Sequence, residues 1–311
     1  MQVATQLKWL GHSLSFRCGI SAMMARRQRV ARIIMYHGIA EESAASFRAQ
    51  MLYLARHFRV VSLDRMVRGL ADGVVPGRHE IVLTFDDGLR NNLVVVYPVL
   101  QELEIPATFF VCPGLLGSGQ WLWNHEVRCR LQALTDSQFA VLSARLGLLC
   151  GSPEAVVGWM KTIPTAQRLH AEHMLREATP EFIPANGQKE AYDIMDWEQL
   201  RALDTELITV GSHTLTHPIL TVLEEDQLEF ELIESRRRLE QELQRPVQYF
   251  CYPNGSHDRR VRHAVARHYR AAVTTQSGTV RPSNHDLHLL PRIPSTSDPA
   301  LMAWRLHRPD A

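Results

Sequence analysis

The sequence predicts an α/β fold in which parallel strands are covered by helices. From residue 31 to about residue 294, short apolar runs alternate with segments of helical periodicity. Strands that are apolar along their whole length are typical of parallel sheets, which are buried on both faces. The chain has 311 residues, of which 45% are hydrophobic and 22% are charged, as in globular proteins with a large core. These observations leave a closed barrel and an open sheet as alternatives.

Eight segments have the short apolar runs that predict strands. In chain order they are Arg32 to Tyr36, Val60 to Ser62, Ile81 to Phe85, Ala107 to Cys112, Leu207 to Ser212, Val247 to Tyr252, Ala271 to Thr275 and Leu289 to Ile293. Because helical segments separate the runs, most of the strands are expected to be parallel.

Five segments between these runs are predicted to be helices. The clearest is Glu224 to Leu243, because Leu228, Leu232, Leu239 and Leu243 recur on one face among dense charges. The others are Ser46 to His57, Leu93 to Leu103, Asp196 to Leu203 and Asp258 to His268. Residues 121–195 interrupt the alternation and look helical with prolines between, so we interpret them as a helical insertion in a domain that spans residues 31–296. Residues 297–311 are then a C-terminal tail.

Residues 1–30 are predicted to form an N-terminal helical segment. Leu7, Leu10 and Leu14 have helical spacing, which fits a helix that caps the domain or, as the less favoured alternative, one that lies on a membrane surface. The apolar stretches here are shorter than the roughly 20 residues that cross a bilayer, and the order of charges is poor for a cleavable signal. We therefore expect a protein that is cytoplasmic or peripheral at the inner membrane.

The charge balance argues against one large class of function. The chain has 34 Lys and Arg against 33 Asp and Glu, a net charge of +1, whereas nucleic-acid binding needs an excess of basic residues. Its five cysteines include no CxxC pair, which argues against a disulfide framework and a thiolate zinc site. The unusual feature is the 15 histidines, which suit metal ligation and proton transfer.

Polar residues follow two of the predicted strands, at the strand ends where the active sites of α/β barrels collect. Asp86 and Asp87 follow the third strand, and adjacent carboxylates repel each other unless a cation or a proton lies between them. An Asp-Asp-Gly turn would explain the same residues without any chemistry. His213 and His217 follow the fifth strand, where imidazoles four residues apart on a helical turn can converge on one ion. With one aspartate they would leave coordination positions open for water and substrate.

Two further features are weaker signals. Tyr252, Pro253 and Asn254 follow the sixth predicted strand, but Pro-Asn-Gly is also ordinary turn chemistry. His37, at the end of the first strand, is either a proton donor or a polar residue that only ends the strand.

In these residues the sequence resembles the polysaccharide deacetylases, the carbohydrate esterase family 4 or NodB-homology group. The Thr-Phe-Asp-Asp-Gly hallmark of that family matches Thr84 to Gly88, and its His-[Ser/Thr]-x-x-His segment matches His213 to His217. Further matches are Ile105 to Val111, Tyr252 to Gly255 and Leu290 to Ile293. The resemblance covers residues 31–294 without the insertion. It implies a distorted (β/α) barrel of about seven or eight mostly parallel strands.

The resemblance also implies a role for each matching residue. Asp87, His213 and His217 would bind a divalent metal ion, zinc in the first place, with Co²⁺ or Ni²⁺ as alternatives. Asp86 would be the general base that takes a proton from the attacking water.

Two roles in the family pattern, the oxyanion donor and the residue that orients the base, are matched less directly in this sequence. A backbone N–H in the segment Tyr252, Pro253 and Asn254 would help to stabilise the oxyanion. The arginine often found in that third motif is absent, with Cys251 near its place. We therefore expect Arg292, at the end of a later strand, to orient the general base instead.

The general acid has three candidates. The common Leu-x-His segment near the C-terminus would supply His288 or His307, but neither follows a convincing last strand. The pair Tyr36 and His37 resembles a subgroup with circularly shifted motifs, in which the N-terminal histidine is the acid. His37 is therefore the preferred candidate.

The implied function is a metal-dependent hydrolase that removes N-acetyl groups from amino sugars of a polysaccharide or glycan precursor. One alternative is a deacylase or deformylase of a lipid-linked amino sugar, with peripheral membrane contact; another is a non-catalytic glycan-binding homologue. The last is disfavoured because such proteins usually lose the metal histidines or the base. Trp121, Trp123 and Trp159 either form a wall on which a sugar stacks or pack a helical cap, and we favour the cap.

Overall fold

Seven parallel strands close into a barrel, and an eighth extends the sheet beside one of them. The computed structural model describes residues 11–74, 79–148, 151–281 and 285–309. The sheet order is β1-β8-β7-β6-β5-β4-β3-β2, and the additional pairing of β1 with β3 closes the ring. Every pairing between two of these strands is parallel, so the predicted (β/α) barrel is confirmed. The strands are β1 Arg32–Tyr36, β2 Arg59–Val60, β3 Glu80–Phe85, β4 Ala107–Val111, β5 Ile208–Ser212, β6 Tyr249–Cys251, β7 Ala271–Ser277 and β8 Leu290–Pro294.

Helices connect the strands and surround the barrel. Residues 11–17 are helical, and five of the helices lie between residues 123 and 192, where the sequence predicts helical character. The assignment of residues 121–195 as an insertion stays a prediction. Numbered in chain order, the helices are α1 Ile20–Arg27, α2 Ala44–His57, α3 Leu63–Ala71, α4 Tyr97–Glu102, α5 Trp123–Gln132, α6 Asp136–Arg145, α7 Pro153–Met160, α8 Thr165–Ala178, α9 Asn186–Tyr192, α10 Trp197–Arg201, α11 Glu225–Leu243, α12 Arg259–His268 and α13 Pro299–Arg305.

Alternate side chains of the strands enter two apolar clusters, as expected for a sheet buried on both faces. Ile34 and Leu83 belong to the cluster shared with the surrounding helices. Ile33 and Val82 belong to a second cluster, into which α3 packs Met66 and other apolar residues. The helix α3 is not among the predicted helices. It begins after Ser62, whose hydroxyl accepts a hydrogen bond from the Arg65 N–H (3.2 Å).

Two predicted segments differ in local structure. Leu93 to Leu103 is not one α-helix, because Asn92–Val96 forms a π-helical turn before α4. Pro98 at the start of α4 has no N–H to donate, which removes a helical hydrogen bond at this junction. The predicted tail contains α13, which contacts α2 and α1 and is capped by Asp298. Among the described residues, no helix combines the length and the hydropathy that crossing a bilayer requires.

Candidate active site

The carboxyl ends of the strands surround a cavity of about 270 Å³. Strand ends contribute its catalytic candidates: His37, Asp86, Asp87, His213, His217 and Tyr252. Residues from α5 and the end of α7 form another part of its wall: Trp123, Asn124, His125 and Lys161. The structure thus brings the residues of separate sequence motifs into one place, at the end of the barrel where the chemistry of this fold occurs.

Asp86 is held by a two-pronged ion pair in the buried part of the site. Its two carboxylate oxygens accept hydrogen bonds from the two terminal nitrogens of Arg292, both at 2.7 Å, and neither side chain is appreciably exposed. The Arg292 Nε donates to the Thr274 carbonyl (2.8 Å), and one terminal nitrogen also donates to the Thr84 hydroxyl (3.0 Å). Burial by itself would raise the pKa of Asp86, but the charge and hydrogen bonds of Arg292 lower it. Asp86 is therefore an anionic carboxylate whose orientation is fixed.

Asp87 points toward two imidazoles. Its backbone has φ +78° and that of Gly88 has φ +69°, so the chain turns sharply after β3. One Asp87 oxygen lies 3.4 Å from His213 Nε2 and 3.6 Å from His217 Nε2. Burial favours a raised pKa for Asp87, but the hydrogen bond with His213 and the neighbouring histidine charges make its pKa lower than usual. The turn therefore separates the two adjacent carboxylates, since one faces Arg292 and the other faces the histidines.

His213 is oriented by a backbone carbonyl. Its Nδ1 lies 2.7 Å from the Cys251 oxygen, which can only accept, so Nδ1 carries the proton. Burial disfavours the charged imidazole, but the nearby Asp87 and Asp86 carboxylates raise the pKa of His213, so Nε2 carries a proton on the side of Asp87, which a metal ion would replace. The His213 ring is therefore set to use Nε2 as a ligand.

The segment from His213 to His217 is a loop, and the expected helical turn is wrong. Thr214 and His217 have left-handed backbones, with φ +68° and +61°. The loop is held by Glu231 of α11, whose carboxylate accepts from the Leu215 N–H (2.8 Å), the Thr216 N–H (3.0 Å) and the Thr216 hydroxyl (2.6 Å). These local bonds replace helical ones, so the two histidines converge from a loop and not from the predicted helical turn.

The donor atoms of Asp87, His213 and His217 fit a divalent metal ion. All lie within 4.8 Å of one another, and all three residues are buried. Burial and the adjacent His213 lower the pKa of His217 to about 3, which keeps its imidazole neutral, the form that binds metals. Two imidazoles and one carboxylate are a common zinc-binding set with open positions.

A second group of potential ligands is Asp86, His213 and Cys251. It fits an ion less well, because Arg292 already occupies both oxygens of Asp86. Burial also raises the pKa of the Cys251 thiol, which lies 3.4 Å from an Asp86 oxygen and can donate to it. Thiolate is the form that binds metals, so the first set is the better metal site.

The structure separates the three candidates for the general acid. His37 lines the cavity, with Nε2 3.9 Å from an Asp86 oxygen and its side chain 51% exposed. His288 instead lies 2.9 Å through Nε2 from the Tyr269 carbonyl, and His307 packs on Trp304; neither lines the cavity.

The predicted oxyanion segment is only partly free to act. The Tyr252 N–H already donates to the Val273 carbonyl at 3.3 Å, and the Tyr252 hydroxyl donates to the His288 carbonyl at 2.9 Å. Pro253 is buried and does not line the cavity, whereas Asn254 does, with φ +56°. For Tyr252 to stabilise an oxyanion, its N–H would have to leave the Val273 carbonyl and turn toward the substrate.

The tryptophans of the predicted insertion do not form one wall. Trp123 lines the cavity and donates from its indole nitrogen to the His217 carbonyl (3.0 Å). Trp121 bonds to Asp193 (2.8 Å), and Trp159 packs against the apolar cluster of these helices. Sequence reasoning missed Asn124, His125 and Lys161, because no spacing links single residues of α5 and α7 to the strand ends.

Comparison with known proteins gives one family and one fold. The family model described as polysaccharide deacetylase matches residues 73–140 and 161–273, more than half of the chain. The matched segments contain Asp86, Asp87, His213 and His217, but not His37 or Arg292. A comparison with curated proteins finds no match.

Several solved structures are similar along most of their length. The Streptococcus pyogenes deacetylase PplD, solved in complex with acetate, has a TM-score of 0.58 at 19% identity, covering 87% of this chain and 95% of its own. IcaB from Ammonifex degensii has a TM-score of 0.59 at 19% identity, covering 90% and 98%. The BpsB deacetylase domain from Bordetella bronchiseptica has a TM-score of 0.53 at 16% identity, covering 86% and 96%. At these identities the likeness shows the fold.

Proposed function

The chain belongs to the polysaccharide deacetylase family, and from that premise we propose that it removes N-acetyl groups from amino sugars of a polysaccharide or glycan precursor, with a divalent metal ion at Asp87, His213 and His217. The observation that carries the proposal is the pairing, in one cavity, of this buried ligand set with a carboxylate that Arg292 keeps anionic. Zinc is the proposed ion, because two imidazoles and a carboxylate suit it.

The metal ion supplies Lewis-acid activation of an amide carbonyl and of water when it is bound. Asp86 takes a proton from the water as the new C–O bond forms at the acetyl carbon. Its orientation is fixed by Arg292, which leaves lone pairs of the carboxylate free for that proton.

The amine must leave as a neutral group when the C–N bond breaks. His37, at the edge of the same cavity, is the proposed donor of the proton that the departing nitrogen takes up. Its place 3.9 Å from Asp86 would let the proton taken from water return to the leaving group through these two side chains. The products are acetate and a free amino sugar, so atoms and protons balance.

The identity of the acyl group and its carrier is tested by substrate comparison. We expect release of acetate from N-acetylglucosamine oligomers, and the same assay on N-formyl and lipid-linked amino sugars separates the alternatives. A non-catalytic glycan-binding homologue would bind these sugars without releasing any acid.

We also propose that the N-terminal helices contact an anionic membrane surface, where a lipid-linked amino sugar would be met. Exposed apolar side chains recur on α1 at the i, i+3 and i+4 positions of one face, while Ala22 and Ala25 on the other face are buried. Exposed Arg17 and Arg27 flank them, a combination that suits anionic lipid headgroups. The exposed apolar residues are Ile20, Met23 and Met24 on α1 and Leu14 in the preceding helical residues 11–17.

Vesicle co-sedimentation tests this surface. The wild-type protein is expected to sediment with phosphatidylglycerol-containing vesicles and less with pure phosphatidylcholine, and Met23→Ser with Met24→Ser should weaken the binding. Val141→Ser, on the exposed part of α6, is the matched control. Equal sedimentation of all three proteins would refute the membrane contact and leave the deacetylase proposal intact.

A further inference from the structure

Three polar side chains in the cavity have no part in the proposed chemistry. Asn124 and His125 lie in the first turn of α5, and Lys161 follows the last turn of α7. Asn124 Oδ1 and His125 Nδ1 are buried and have no hydrogen-bond partner among the residues that the structure describes. Since buried polar atoms are nearly always paired, such atoms beside an active-site cavity point to a polar ligand.

The start of α5 is held against the loop from His213 to His217. The Trp123 indole nitrogen donates to the His217 carbonyl (3.0 Å), and the Arg168 guanidinium lies 4.9 Å from the centre of the Trp123 ring system. The His125 ring packs on Tyr192, with centroids 4.4 Å apart. Adjacent helical residues point about 100° apart, so a cavity that reaches both Asn124 and His125 wraps around the helix end. The first turn of α5 is thus fixed relative to the proposed metal ligands.

Lys161 brings a cation to the same cavity. Its Nζ donates to Asn254 Oδ1 at 2.6 Å, which joins the end of α7 to the loop after β6. An amide oxygen is a neutral partner, and no ion pair of Lys161 is found within the described part of the chain. An ammonium group has three hydrogens, so Lys161 keeps donors for a ligand.

We propose that Asn124, His125 and Lys161 form a recognition subsite for the hydroxyl groups of the sugar that carries the acyl group. A hydroxyl group both donates and accepts hydrogen bonds, so it can pair with an amide, a neutral imidazole and an ammonium group. An apolar ligand would pair with none of them, and a purely anionic ligand could not donate to the amide oxygen or to the imidazole. Burial lowers the pKa of His125 to about 4, so the imidazole is neutral at neutral pH and keeps one nitrogen that accepts. The inference rests on the proposed function, because it names the part of that cavity which holds the sugar.

Kinetics on deoxy sugars test the subsite. The substrates are N-acetylglucosamine oligomers and analogues whose reacting sugar lacks the 3- or the 6-hydroxyl. His125→Ala and Asn124→Ala are expected to raise KM about tenfold, which corresponds to about 1.4 kcal/mol, with kcat and its pH profile nearly unchanged. His125→Gln should recover part of the loss, since it keeps a hydrogen-bonding group.

A hydroxyl recognised by His125 or Asn124 gives a second, independent signature. Its removal weakens binding to wild-type protein but not further to the variant that lacks its partner, so the two changes are not additive. His170→Ala, an exposed histidine of α8, is the matched control and should behave as wild type.

Three results would overturn the inference. Unchanged KM in folded variants of Asn124 and His125, a loss of kcat with a shifted pH profile, or a loss of bound metal would each assign these residues to another role. If the wild-type protein releases no acid from any acylated amino sugar, the proposed function itself fails, and that result is distinct from an active enzyme whose variants are unaffected.

Discussion

Asp86 and Arg292 are the residues whose interaction matters most for the proposed base. Arg292→Met would leave the buried carboxylate without its partner, and removing one partner of a buried pair costs about 3–5 kcal/mol. The pair Asp86→Asn with Arg292→Met should cost less than the sum of the two single changes, because no charge is then stranded. Urea unfolding of the four proteins measures this; additive losses would mean that the pair does not couple.

The ion pair of Asp86 and Arg292 should also make the stability of the protein depend on pH. Because Arg292 lowers the pKa of Asp86 in the folded protein, its stabilising contribution is present above the unfolded value of about 4 and is lost as the pH falls through the lower folded pKa. The stability difference between wild type and Asp86→Asn should therefore be constant from pH 7 to about pH 4 and shrink below it. Unfolding curves with a chelator present in both samples test this. A difference that already shrinks between pH 7 and pH 5 would mean a raised pKa.

The role of His37 as general acid can be tested with substrates that differ in their leaving group. A general acid is needed for an amine but not for a nitrophenolate, so His37→Ala should slow amide hydrolysis about 10² to 10⁴-fold and affect 4-nitrophenyl acetate far less. His288→Ala and His307→Ala, which lie outside the cavity, are the controls and should keep both rates. Equal loss on both substrates in His37→Ala would remove it as the acid.

At the scale of elements, α11 supports the proposed metal site through one side chain. Glu231 accepts three hydrogen bonds from the loop between the two proposed histidine ligands. Glu231→Ala should weaken metal binding about 10 to 100-fold, which is the usual effect of removing a residue that orients metal ligands. Glu234→Ala is the control and should not weaken it, because Glu234 pairs with Arg237 and Arg238 on the same helix. Competition with a chromophoric chelator measures both. Wild-type affinity in Glu231→Ala would show that the loop holds itself.

The helices and strands differ in how well the sequence predicts them. Each of the eight strands overlaps a predicted apolar run, because a buried parallel strand has few alternatives in composition, but β2 shares only Val60 with its predicted segment and is not buried. The π-helical turn before Pro98 and the loop of His213 to His217 were not predictable, since both depend on specific hydrogen bonds and not on periodicity. The helix α3 was missed because its short amphipathic segment follows directly on β2.

At the scale of the whole molecule, the barrel assembles the site from distant parts of the chain. The meeting of the paired aspartates with the spaced histidines was predictable, because each motif directly follows a strand and parallel strands end on one side. Arg292 was an expectation that the structure places against Asp86, more than 200 positions away. Asn124, His125 and Lys161 were not predictable, because only the packing of α5 and α7 against the strand ends brings them to the cavity.

The proposed mechanism requires one cavity that combines a metal ion with a separate carboxylate base. Acetate release from N-acetylglucosamine oligomers and bound metal, measured on the same samples of wild type and Asp86→Asn, tests it most directly. We expect release by wild type that stops on chelation and returns with added zinc, and an Asp86→Asn protein that keeps its metal but releases no acetate. Loss of the metal in Asp86→Asn, or release that persists after the metal is removed, would contradict it.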